Sequence, residues 1–164
     1  MDKTFEDLFT EYQTDMISIA MEYADYREEV DTIYVYGSYE NGSWECNYFL
    51  KVNGQIVHTN KMNEALAPGA RPFDVSRERQ SAALDIMTDD YEKIIKLCRE
   101  YGRKMPTEMR IVYYPKTNRA DANYRYDPVC TKDPDNMKIG AEVMEDWMAE
   151  EAAKLGQAYK RLIG

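Results

Sequence analysis

The sequence is poor in the side chains that catalytic and metal sites use. It has one histidine, His58, and three cysteines, Cys46, Cys98 and Cys130, which are widely separated and form no CxxC pair. Neither a disulfide framework nor a zinc site is therefore expected. Phosphate-binding loops of the GxGxxG and GxxxxGK[ST] types do not occur. The pattern favours a protein that is not an enzyme and needs no metal or cofactor.

The few reactive side chains have structural interpretations. Cys46 and Cys98 fall on the apolar faces of a predicted strand and a predicted helix, where cysteine acts as a small hydrophobic residue. Cys130 is the thiol expected to be exposed, and His58 is expected to be an exposed or hydrogen-bonded structural residue. The acidic stretch DPVCTKDPDN lacks the DxDxDG spacing and closing glutamate of a calcium loop, and it is interpreted as a helix cap.

Long apolar runs are also missing, so no membrane partner is predicted. The N-terminus, MDKTFEDLF, has no basic region followed by an apolar block and does not resemble a secretory signal, so the chain is expected to be cytoplasmic. With 164 residues, 44% hydrophobic and 31% charged, residues 1–164 are expected to form one soluble domain.

Negative charge is in excess and is concentrated near both ends. The formal net charge is −9, residues 2–31 hold ten acids and two bases, and residues 133–151 hold seven acids and one base. Such a distribution repels nucleic acid and attracts a cationic protein surface. An alternative is that the acids form the solvated faces of two helices and bind no partner.

Apolar periodicity predicts an α+β fold with the order α-βββ-α-ββ-α. Helical spacing covers residues 4–27, 76–102 and the segment from Asp133-Pro134 to Leu162, with a possible helix restart at Thr88-Asp89-Asp90. Asn-Gly turns at 41–42 and 53–54 predict a three-stranded meander, and residues 106–127 predict a hairpin. Residues 60–75 are expected to be a long surface connection. We expect an antiparallel sheet of about five strands with the helices on one face.

Tyrosine is abundant, with 14 residues, and it occupies both parities of single strands. Phe49 and Tyr114 lie on the otherwise polar faces of their predicted strands, a placement that suits a protein interface. The alternative is that the rings complete an amphipathic sheet beneath the helices.

Two tyrosine-rich segments resemble those of a known family. PTEMRIVYYPKTNRADANYRYD and YVYGSYENGSWECNYFLKVNGQIV are similar to the hairpin and the meander of the YezG-like bacterial immunity proteins, also called domain of unknown function 600. The predicted last helix with Trp147 is similar to the family's closing helix. The resemblance extends over nearly the whole chain, although its motifs are structural and not catalytic.

The resemblance implies a non-enzymatic antitoxin that binds and blocks the toxic domain of a secreted polymorphic toxin, in several cases a nuclease. A basic toxin domain would suit the acidic ends of this chain, without direct binding to nucleic acid. The resemblance itself transfers no binding residues. From charge and aromatic placement, the candidate partner-binding residues are Glu11, Asp15 and Glu22 in the first helix, Glu142, Asp146 and Glu150 in the last, and Phe49, Tyr114 and Tyr124 as anchors.

Two other functions fit the same residues. A small-molecule-binding protein or hydrolase would place two or more acids of perturbed titration in a deep pocket. An oligomeric interaction module would use the tyrosine-rich sheet for self-association.

Overall fold

The computed structural model describes residues 2–162 and has the predicted α+β order. The elements are α1 (Phe5–Tyr23), β1 (Val30–Glu40), β2 (Ser43–Val52), β3 (Gln55–Val57), a 3₁₀ helix (Thr59–Ala65), α2 (Arg77–Glu100), β4 (Glu108–Tyr114), β5 (Arg119–Arg125) and α3 (Gly140–Lys154). The predicted restart within the middle helix is absent, since α2 is continuous.

The five strands form one antiparallel sheet in the order β3-β2-β1-β4-β5. Both predicted Asn-Gly turns are confirmed, because Asn41, Gly42, Asn53 and Gly54 all have positive φ, as tight hairpins require. The β4–β5 hairpin is also confirmed, and β4 joins it to the meander by pairing with β1. β1 is therefore the central strand.

Helices α1 and α2 cover the face of the sheet that the apolar alternation predicts. Ile33, Val35, Leu50 and Ile111 are buried there with the inner side chains of both helices. The capping box at the start of α1 is formed, with Asp7 N–H donating to Thr4 Oγ1 over 3.1 Å. On the same face, a Cβ at Gly37 would lie 2.7 Å from Tyr91 Cζ, so α2 approaches β1 closely where β1 has no side chain.

The opposite face of the sheet is covered by α3, so the expectation that the helices lie on one face is wrong. Tyr34 and Phe49 stack with ring centroids 4.4 Å apart, and Trp147 of α3 meets Phe49 edge-on at 5.0 Å. These rings and Tyr36 form a second buried cluster. Because β1 and β2 carry apolar side chains of both parities, they bury both faces, and the sheet is the middle of three layers.

The connections differ from prediction in two places. α3 begins at Gly140 and not at Asp133-Pro134, and it ends at Lys154 and not near Leu162. The predicted surface connection at 60–75 begins in the 3₁₀ helix and buries Met62, Ala65 and Phe73, so much of it belongs to the core. Within the described residues 2–162, none of the helices combines the length and the apolar character needed to cross a membrane.

Candidate functional site

The outer face of α1 carries an exposed row of carboxylates. Asp7, Glu11, Asp15 and Glu22 are spaced at intervals of about one or two helical turns, so they lie on one side of the helix; we call them the α1 acidic stripe. Hydroxyl side chains lie between them, and the surface there forms a shallow depression of about 600 Å³ lined by Lys3, Asp7, Thr10, Glu11, Thr14, Asp15 and Ser18. The stripe includes all three of the predicted residues of the first helix.

The charge of the stripe is only weakly compensated. Lys3 Nζ lies 2.6 Å from Glu11 Oε1, and both side chains are largely exposed. Asp7, Asp15 and Glu22 have no ion-pair partner in the part of the chain that the structure describes. An exposed ion pair such as Lys3–Glu11 holds its partners weakly, so the stripe presents a field of one sign to solvent.

The acidic residues of α3 have internal partners instead. Glu142 accepts a hydrogen bond from Ile139 N–H at 3.2 Å and caps the helix. Asp146 lies between Lys138 Nζ, at 2.6 Å, and an Arg161 nitrogen, at 2.5 Å. Burial would raise the pKa of Asp146, but the hydrogen bonds and charges of these two cations outweigh it and lower the pKa. Asp146 is therefore neutralised within the protein, and Glu142 is engaged by the start of the helix.

The two predicted acidic sets do not form one surface. α1 packs on one face of the sheet and α3 on the other. Glu150, the most exposed of the α3 set, lies 3.5 Å from Arg110 of β4. One compact partner docking on a single face would contact the α1 acidic stripe or the α3 acids, but not both.

The three predicted aromatic anchors have different environments. Phe49 is 0% exposed beneath α3, which corrects its assignment as a partner-binding residue. Tyr124 is half-buried under α1, with its hydroxyl accepting from Gln13 Nε2 at 2.6 Å. Tyr114 is half-buried beside Arg119 and lines a cleft of about 450 Å³ with Asp31, Thr32, Lys51, Gly54, Lys116, Thr117 and Arg119. The cations of this cleft do not complement a basic partner.

The candidate nucleophile and base both serve the structure. Cys130 is 9% exposed, so the expectation of an exposed thiol is wrong, and burial raises its pKa. A raised pKa leaves little of the nucleophilic thiolate at neutral pH. His58 has the expected hydrogen-bonded role: its Nε2 lies 2.6 Å from Oε1 of the buried Glu145, which also accepts from the Tyr159 hydroxyl.

A cleft of about 480 Å³ opens between the β1–β2 turn and residues 137–140, and sequence reasoning did not identify it. Its walls include Trp44, Met137 and Ile139 and two carboxylates, Glu40 and Glu45. Glu40 accepts from the N–H groups of residues 129–131 and from Thr131 Oγ1, with the shortest distance, 2.5 Å, to Cys130 N. Glu45 accepts from Ala141 N–H, at the start of α3, over 2.5 Å. Both carboxylates therefore already accept hydrogen bonds from backbone N–H groups of the protein itself.

A second pair of acids lies between α1 and α2. Asp90 of α2 is 3% exposed and faces Asp15 of the α1 acidic stripe. Burial, followed by hydrogen bonding to Asp15 and the charge of Asp15, raises the pKa of Asp90 to about 7. Sequence reasoning placed Asp90 in a helix cap, so the pairing across two helices was missed.

Neither a metal centre nor a relative identifies the site. Residues 2–162 contain no group of three or more His, Cys, Asp or Glu side chains arranged to hold a metal ion. The chain matches no protein-family model, and a search of curated proteins finds no match either.

Proposed function

We propose that this chain is a non-enzymatic immunity protein of the YezG-like type, which binds a basic toxin domain, such as a nuclease, and neutralises it in the cytoplasm of the producing cell. The α1 acidic stripe is the observation that carries this proposal. It combines exposure, a single sign of charge and a rigid helical scaffold, the properties that a docking surface for a cationic protein needs.

The chemistry of nucleases makes them suitable partners. A nuclease surface must hold phosphate groups, so it carries clustered lysine and arginine side chains. A row of carboxylates can occupy that surface in place of the nucleic acid, and long-range attraction speeds the encounter. Asp15 and Glu22, which have no ion-pair partner within residues 2–162, are the residues we assign to this role first.

The alternative of a hydrolase with a carboxylate-lined pocket has less support. Glu40 and Glu45 line the cleft beside Trp44, but each carboxylate accepts hydrogen bonds from backbone N–H groups of the protein itself. Hydrogen bonds from Cys130 and Thr131 leave the pKa of Glu40 below its ordinary value despite burial, whereas a general acid needs a raised one.

The proposal predicts that a toxin is encoded beside this gene, and the test is rescue of cells that express that toxin. Co-expression of the wild-type chain should restore growth, and Glu22→Lys should weaken binding of the toxin domain at low salt by about tenfold. Asp135→Lys is the matched single-reversal control, because Asp135 is exposed on the connection before α3, away from α1. Undiminished toxicity with the wild-type chain, or equal loss of affinity in the control, would refute the proposal.

A further inference from the structure

A cleft between the first two turns of α1 and the end of the β4–β5 hairpin is lined by four aromatic rings; we call it the ring cleft. Its volume is about 410 Å³, and its lining residues are Phe5, Phe9, Cys98, Arg103, Lys104, Pro106, Tyr124 and Tyr126. The rings contact one another, with centroid separations of 5.5 Å for Phe5–Phe9 and 5.8 Å for Phe9–Tyr124. Because α1, α2 and β5 all supply side chains, the cleft exists only in the folded chain.

The floor of the ring cleft is fixed, whereas its rim is free. Phe5 and Tyr124 are half-buried, and Gln13 Nε2 donates to the Tyr124 hydroxyl over 2.6 Å. On the rim, Tyr126 is 47% exposed, and Tyr101, whose ring centroid lies 5.5 Å from that of Phe5, is 48% exposed. A rigid apolar floor with large exposed rings beside it is typical of a recognition surface, since ordered rings bind at little further cost in conformational entropy.

The charge of the ring cleft is opposite to that of the chain as a whole. The formal net charge is −9, but none of the described residues that line the cleft is an acid. Lys104 Nζ donates to the Tyr126 carbonyl oxygen over 3.1 Å and has no ion-pair partner within residues 2–162. The Arg103 guanidinium lies 4.3 Å from the Phe5 ring centroid and pairs with Glu6 at 3.1 Å, but both charged side chains are more than half exposed, so the pair is weak. A ligand of this cleft should therefore carry negative charge close to an apolar ring.

We infer that the ring cleft binds an extended, proline-containing segment of another protein, with a carboxylate of that segment on Lys104. Proline rings pack on aromatic side chains, and proline segments are already extended, so grooves lined by aromatic rings are suited to them. At about 3.1 Å per residue, three such residues span roughly 9 Å, so two or three side chains fit a cleft of this volume. The α1 acidic stripe suits the opposite charge, so the ring cleft is a second interaction surface that goes beyond the proposed function.

A peptide suits the ring cleft better than single-stranded nucleic acid, which also stacks on aromatic rings. Each nucleotide brings a phosphate, whereas the described lining supplies two cations, Arg103 and Lys104. Glu6 and Asp7 lie in the first turn of α1 beside Phe5, and the α1 acidic stripe continues from there. This field repels further phosphates, while a peptide can carry a single carboxylate next to its prolines.

Binding of a synthetic peptide tests the site without the natural partner. The probe is a peptide of sequence EPPDPPDE, titrated into the nitrogen-15-labelled chain and followed by NMR, and control peptides replace its prolines with alanine or its acids with lysine. We expect the amide signals of residues 101–106 and 124–127 to move and those of residues 15–22 to stay. Both control peptides should bind more than about fivefold more weakly. No saturable binding of the probe at millimolar concentration, or equal binding of either control peptide, would overturn the inference.

Variants at exposed positions test the assigned residues while keeping the fold. Tyr126→Ala and Lys104→Glu should each weaken binding of the probe by more than about fivefold. The matched controls are Tyr26→Ala and Lys116→Glu: Tyr26 is 65% exposed beyond the other end of α1, and the Lys116 side chain is 67% exposed at the other end of the hairpin. A control variant that loses as much affinity as its counterpart would contradict the assignment.

Two further outcomes separate the possible occupants. Tighter binding of oligodeoxythymidine than of the probe, lost in Tyr126→Ala, would overturn the choice of a peptide. A wild-type dimer in sedimentation that Lys104→Glu converts to a monomer would assign the cleft to a second copy of this chain and overturn a separate partner. Toxin rescue is independent of these results: failed peptide binding leaves the proposed immunity function intact, and failed rescue leaves the ring cleft intact.

Discussion

Replacing Glu40 with alanine should loosen the connection that precedes α3. The Glu40 carboxylate is buried at the end of β1 and accepts four hydrogen bonds from residues 129–131. Alanine would leave the N–H groups of this segment without their acceptor while the surrounding fold still shields them. Residues 128–139 would then be held to the sheet mainly by burial of Cys130 and its contact with Ser38 Oγ at 3.4 Å, so the wall of the cleft near Trp44 should loosen.

The size of the effect follows from the hydrogen-bond distances. Two of the four bonds are short, at 2.5 Å from Cys130 N and 2.8 Å from Thr131 Oγ1, and the other two are 3.3 Å long. A hydrogen bond to a charged group contributes about 1.5–3 kcal/mol, and part of this is offset by burial of the carboxylate. We therefore expect a loss of roughly 3 kcal/mol in the free energy of unfolding, or about 6–12 °C in Tm for a chain of this size.

The contribution of Glu40 should depend on pH in one direction. Burial would raise the pKa of Glu40, but the hydrogen bonds from Cys130 and Thr131 together lower it below the ordinary value of 4.5. A depressed pKa in the folded state adds stability that is complete above about pH 4.5 and is lost as the pH falls through the folded pKa. The difference between wild type and Glu40→Ala should shrink over that acidic range.

Urea unfolding at pH 7, 5, 4 and 3, followed by far-ultraviolet circular dichroism, measures this directly. Glu28→Gln is the control, because Glu28 is exposed and the substitution also removes one negative charge. It should change the free energy of unfolding by less than about 0.5 kcal/mol. A Glu40→Ala variant within 1 kcal/mol of wild type at pH 7 would refute the assigned role of the carboxylate.

Gly37→Ala should destabilise the protein by about 1–3 kcal/mol or more, because the new Cβ would lie 2.7 Å from Tyr91 Cζ. A double variant that also carries Tyr91→Leu should recover part of this loss. An unchanged urea midpoint in Gly37→Ala would contradict the close packing of α2 on β1. At pH 8, Cys130 in the folded protein should react with a thiol reagent much more slowly than Cys130 in the unfolded protein, since the thiol is buried and its pKa is raised. Complete labelling of the folded protein within the mixing time would show that the thiol is accessible.

The sheet was predictable because its signals are local. At 41–42 and 53–54, Asn-Gly supplies the positive φ values that a two-residue hairpin turn needs, so the meander and its register follow from neighbouring residues. The alternation of Met109, Ile111 and Tyr113 likewise identified the buried face of β4.

The position of α3 was not predictable from the same kind of pattern. Tyr34 and Phe49 have the parity opposite to the first core, which is equally compatible with an exposed interface and with a second core. Only packing against Trp147, distant in sequence, distinguishes the two. In this fold the protein's own last helix occupies the face that the sequence suggested for a partner.

Local capping signals also failed where long-range contacts compete with them. Asp133 caps a short turn, accepting from Asp135 N–H at 3.0 Å, but the segment is drawn to Glu40 instead of continuing as a helix. The pairing of Asp15 with Asp90 has no sequence signal at all, because two separate amphipathic helices must align before the acids meet.

Enclosure of the sheet between helices separates the residues that hold the fold from those that can select a partner. The outer sides of α1 and α3 remain exposed, while the rings of β1 and β2 are committed to packing. Apart from Asp15, which faces the buried Asp90, substitutions along the outer side of α1 therefore need no compensating change in the interior. Under the proposed function, such an arrangement would let the binding preference change through the outer helix surfaces while the scaffold stays the same.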